Sequence, residues 1–195
     1  AARLIEGDIP DRLAEALCER VRVLDNVPAV REFVAGLCGE QRPFGQAKVL
    51  NSELGSRLFR SLVEVNPEAT AKALKRTFAG WTIDELKNVG PGRRNLVWAL
   101  EKLCFWQSTF PTAGPVLLVL AAAENEDWGN NATGIFIGLF KVVLSGTQAE
   151  PTQRFLLIDI ALAHADERCR ILGARALGSA LQPGHFIGRV GPEQK

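Results

Sequence analysis

Apolar residues recur along this chain at helical spacing. Leu13, Leu17, Val21 and Leu24 form one stripe, after Asp8 and Pro10, which supply a cap and a helix-compatible start. Val30, Phe33, Val34 and Leu37 form the next, entered through Pro28, and Leu54, Leu58, Leu62 and Val65 a third that ends at Asn66-Pro67. Strand signals are scarce: the chain has no tyrosine, and no stretch alternates cleanly beside a hairpin turn. The pattern predicts an all-α protein.

A longer rhythm begins at Asn66. Pro67, Pro111 and Pro151 each open an apolar helix, at spacings of 44 and 40 residues, and second helices begin near Arg93-Arg94, Asn131 and Asp166. Helix pairs are therefore predicted over about 10–38, 51–79, 91–125 and 132–166, with a last unit at 151–181. They are expected to form a single helical repeat domain over 1–183, followed by a Gly/Pro-containing tail at 184–195. The helix from Pro151 carries Phe155, Leu156, Leu157, Ile158, Ile160, Ala161 and Leu162 around most of its circumference. Such a helix is expected to be covered on nearly all sides.

The segment Phe155 to Leu181 carries a more specific pattern. Its apolar helix is followed by His164-Ala165-Asp166-Glu167-Arg168, then by Cys169-Arg170-Ile171-Leu172-Gly173-Ala174-Arg175-Ala176-Leu177-Gly178. This resembles the turn and second helix of a HEAT repeat, and the chain as a whole resembles HEAT and armadillo proteins. The resemblance implies antiparallel helix pairs stacked as a right-handed α-α superhelix, with Asp166 capping the second helix and Arg170 tying neighbouring repeats together. Arg94 to Phe140 is also similar to helical-repeat regions of large bacterial proteins of unassigned role. Some of these append such arrays to a signalling NTPase domain.

Composition narrows the function classes. The 23 basic and 22 acidic side chains nearly cancel and are mixed along the chain, whereas duplex binding usually demands a basic excess. Cys18, Cys38, Cys104 and Cys169 lie far apart and form no C-x-x-C pair, which predicts buried thiols and a reducing cytoplasm. The longest apolar run, Ala113 to Ala123, is shorter than the ~20 residues a membrane span needs. Both ends read as cut from a longer polypeptide. Asn131-Ala132-Thr133 matches a glycosylation acceptor, a pattern common by chance.

Candidate chemistry is thin. Gly90-Pro91-Gly92-Arg93-Arg94 precedes a helix start, where amides can cradle an anion, or else is a turn with exposed arginines. Lys72, Lys75, Arg76, Lys87 and Lys102 make the surrounding region mildly basic. Trp98 and Trp106 are expected to pack inside, while Trp81 and Trp128 sit in turns and are candidate anchors. The acidic loop 124–131 lacks EF-hand spacing, and Asn130 or Asn131 is expected to cap a helix running through Ile135 to Leu144. The histidines, His164 and His185, have no serine or cysteine placed beside them by sequence, so no catalytic residue, metal or cofactor is expected. The leading expectation is a non-enzymatic protein- or peptide-binding scaffold from a larger bacterial protein, with Trp81, Lys87, Arg93, Arg94, Glu126 and Trp128 as its surface. The alternative is a nucleic-acid-binding or DNA-repair repeat protein.

Overall fold

The computed structural model describes residues 11–143 and 145–183; the cap at Asp8 and Pro10, His185 and the tail 184–195 lie outside them. The described residues are helical and contain no strand. No helix among them is long and apolar enough to cross a membrane. Where a single repeat domain is expected, the chain divides into two compact units. One comprises the residues up to Gly80 with Val89–Ala99, and the other comprises Trp81–Asn88 with the residues from Leu100 onward.

In the first unit, α1 (Asp11–Arg22) packs on a later helix, Glu53–Leu62, and α2 (Pro28–Leu37) packs on Pro67–Phe78. Between them lie a 3-10 turn at Pro43–Gly45 and the short α3 (Ala47–Leu50), so the two later helices are α4 and α5. Ser52 accepts from the Gly55 amide at 3.1 Å and starts α4. Asn66 accepts from the Ala69 amide to start α5, while its own amide group donates to the Arg31 carbonyl of α2. The buried face of α1 differs from the stripe expected. Ala14 and Cys18 are buried while Leu13 and Leu17 are exposed. In α2, Val34 is buried, with Cys38 just past the helix end, and Phe33 is exposed. Small residues permit close helix approach, and the leucines occupy the adjoining arc. The third stripe, on α4 and the residues after it, is buried at Leu58, Leu62 and Val65.

In the second unit, α6 (Ile83–Leu86) is a single turn inside what reads as a long loop. Its signal is the capping box of Thr82 and Glu85, where each side chain accepts from the other residue's amide. Helix α7 (Arg93–Phe105) contributes residues 93–99 to the first unit and the rest to the second. Next come α8 (Phe110–Ala122), α9 (Ala132–Gly138), α10 (Pro151–Leu162) and α11 (Glu167–Leu181). Helix α9 ends at Gly138, short of the expected Leu144.

Helix α8 is the centre of this unit, packed by α6, α9, α10 and α11. Its core side chains, from Phe110 and Ala113 through Val116, Leu117, Leu118, Leu120 and Ala121, are all buried. Leu157 of α10 seats on Gly114, where a Cβ would stand 2.6 Å from the Leu157 Cδ2. The end of α7 is closed by two threonine hydroxyls and a backbone N–H, because the last carbonyls of a helix have no partner within it. Thr109 donates to the Leu103 carbonyl, Thr147 to that of Cys104 at 2.6 Å, and the Gln148 amide to that of Phe105 at 2.7 Å. Buried Arg154 donates to the Lys141 carbonyl at 2.9 Å, which holds the segment before α10 against it.

Candidate interaction surfaces

The glycine turn before α7 is not an open anion cradle. The Gly90 amide donates to the Asn51 side-chain oxygen and the Gly92 amide to the Asn51 carbonyl, both at 3.0 Å. Gly92 is required there, since a Cβ would lie 2.3 Å from the Leu50 carbonyl oxygen. Arg93, expected at the surface, is only 1% exposed, and this corrects its place among the candidate surface residues. Charge alone marked Arg93, while its position in the first turn of α7 directs it inward. Arg94 is exposed.

In the second unit, the residues around α6 and the acidic loop meet. Asn125 donates to the Lys87 carbonyl at 3.1 Å. The loop itself is built rather than slack. The Glu124 carboxylate accepts from the amides of Asn125, Glu126 and Ala132, and Asn131 donates to the Glu126 carbonyl at 2.7 Å while capping α9 through Gly134. Trp128 donates its indole N–H to the Glu126 carboxylate. Lys87, Glu126 and Trp128 thus share one edge, and Arg93 and Arg94 belong to the other unit. Trp81 and Trp128 are half-buried, as are Trp98 and Trp106. The Arg60 guanidinium carbon lies 4.9 Å from the centroid of the Trp98 ring.

Asp166 caps α11 by accepting from the Arg168 amide at 2.8 Å. The Arg168 side chain holds the same carboxylate and reaches Asp84 of α6 at 2.9 Å. Arg168 pulls the Asp166 carboxyl down to about 2 and lowers that of Asp84. Arg170 donates to the His164 and Ala165 carbonyls, closing the turn of its own helix pair rather than reaching a neighbouring one as the resemblance implies. His164 accepts from the Asp166 amide through Nδ1 at 3.0 Å, so its ring is engaged with its own turn.

All four cysteines are free and buried. Burial pushes the thiols up, to about 11 for Cys18 and Cys169 and about 12 for Cys38, and raises Cys104 further. Burial also pushes the Glu101 carboxyl up to about 7, with Lys102 opposing. Among the described residues no group of three histidines, cysteines or acids could hold a metal ion.

The largest departure from expectation lies on α10. Leu157, Ile158 and Ala161 are buried, but Phe155, Leu156, Ile160 and Leu162 are exposed. On α11, Ile171, Leu177 and Leu181 are exposed as well, Leu181 to 77%. Both helices pack on α8, so the faces they turn away from it lie on one side of the pair. The sequence pattern does not mark this surface, because a helix apolar all round predicts cover on all sides.

No family model, curated protein or solved structure matches this chain.

Proposed function

We propose that the chain is a HEAT-like helical-repeat module that binds protein, with the uncovered face of α10 and α11 as its docking surface. The observation that carries this reading is that face. Seven large apolar side chains, 39% to 77% exposed, amount to roughly 600 Å² of accessible surface, at the upper edge of what a monomer leaves open. Water contact with such an area is unfavourable, and a partner that covers it gains the hydrophobic driving force. The helix-pair layout, the Asp166 cap and the close approach at Gly173 support the HEAT-like reading. Four buried thiols support a reducing, cytoplasmic setting.

The edge of Lys87, Glu126 and Trp128 is the second surface in this reading, polar where the first is apolar. The nucleic-acid alternative has less support, because Arg93 is buried and the amides of Gly90 and Gly92 already have partners. The test is retention of protein from bacterial lysate by the chain and by the variant Leu156→Glu with Ile171→Glu. Loss of a retained protein in the variant, with unchanged circular dichroism, supports the reading. Equal retention by both sinks it.

A further inference from the structure

We propose that the α10–α11 face closes on the same face of a second copy of the chain, around a two-fold axis parallel to the helices. The inference rests on reading this face as a protein-docking surface, and names its occupant.

The levels of the two helices carry the argument. They are joined by the turn Ala163–Asp166 and pack antiparallel, and a Cβ on Gly173 would stand 3.0 Å from the Ala161 Cβ and from the Leu162 amide nitrogen. Gly173 therefore lies level with Ala161 and Leu162. Counting back along α10 and forward along α11 puts Ala174 and Arg175 level with Asp159 and Ile160, and Gly178 level with Leu156. A two-fold axis parallel to the helices lays α10 of one copy over α11 of the other with these levels kept. Leu156 then meets Gly178, where an added Cβ would touch nothing within 4 Å. A large side chain on one helix faces a small one on the other, the arrangement that close helix packing needs.

The charges fit the same pairing. Asp159 and Arg175 are exposed, lie on the apolar arcs of α10 and α11, and have no ion-pair partner among the described residues. The two-fold axis brings each Asp159 to the level of the other copy's Arg175, within reach of its long side chain. At the rim, Glu167 and Arg170 add one charge of each sign, so the face is neutral and can meet itself without repulsion. With its polar rim, the roughly 600 Å² of apolar surface approaches the ~800 Å² per partner of a standard stable interface.

Sedimentation velocity over a range of concentrations tests this. The chain is expected to form a dimer that grows no further. Asp159→Arg alone and Arg175→Asp alone each set like charges opposite one another twice, and each is expected to weaken the dimer at least ~10-fold. An equimolar mixture of the two variants restores opposite charges at both contacts and is expected to dimerise again. Gly178→Leu, which fills the site for Leu156, is expected to give a folded monomer by circular dichroism. A wild-type chain that stays monomeric, higher assembly, or single reversals that leave the dimer intact overturns the proposal. A monomer that still loses a lysate protein on Leu156→Glu with Ile171→Glu overturns only the second copy as occupant and leaves the docking reading standing.

Discussion

Gly173 of α11 lies against Ala161 of α10 so closely that a side chain at 173 forces its neighbours to shift. The space is closed by the Ala161 Cβ, the Leu162 amide nitrogen and the Leu162 Cδ2, the last at 3.1 Å from an added Cβ. Gly173→Val is expected to push the pair apart and to lower stability by about 2 kcal/mol, as overpacking does. Gly36, near the end of α2, meets nothing within 4 Å. Gly36→Ala is expected to raise stability by about 0.5 kcal/mol through helix propensity alone. Urea unfolding of the two variants checks the contrast.

The Asp166 cap makes a pH prediction. Its carboxyl lies at about 2 in the fold, chiefly through Arg168, against ~3.9 in an unfolded chain. The stability it contributes is therefore present above about pH 4 and is lost as pH falls towards 2. Asp166→Asn keeps a capping oxygen but has no carboxyl to titrate. Thermal melts between pH 2 and 5 are expected to show a shallower loss for this variant than for the wild type. Asp166→Ala removes the cap outright and costs about 1 kcal/mol at neutral pH.

Glu101 acts in the opposite sense. Burial raises its carboxyl to about 7 in the fold, above its unfolded value. The unfolded chain then binds fewer protons between about pH 4.5 and 7, so stability falls as pH rises through that window. Glu101→Gln removes the ionisation and is expected to stabilise the chain at pH 8 by on the order of 1–3 kcal/mol, with little gain at pH 4. Melting curves at the two pH values measure the difference.

The turn before α7 is predicted to ignore anions. With the Gly90 and Gly92 amides both paired to Asn51, inorganic phosphate is expected to leave their amide resonances unmoved. Gly92→Ala drives a Cβ into the Leu50 carbonyl oxygen and is expected to cost about 2 kcal/mol or more. Phosphate-dependent shifts at Gly90 or Gly92 would contradict this assignment.

Helix positions were legible wherever a local device marked them. Proline starts at Pro28, Pro67 and Pro151, and caps at Asn66, Asn131 and Asp166, act within one turn, so spacing in the chain is enough to read them. The capping box at Thr82 was equally local and could have been read. The buried Arg93 and the tethered glycine turn could not. The turn depends on Asn51, some forty residues earlier in the chain, and no periodicity reports such a contact.

Residues 113–121 and 155–162 are both apolar around most of a helix, and the chain itself does not distinguish them. Sequence alone determined that each forms a helix, because spacing, proline and capping are local. Only the tertiary structure decided their coverage. Helix α8 lies among four neighbours and is buried, while α10 has α8 and α11 on one side and leaves Phe155, Leu156 and Ile160 open. Burial is a property of what packs alongside a helix, and that is settled by the rest of the fold.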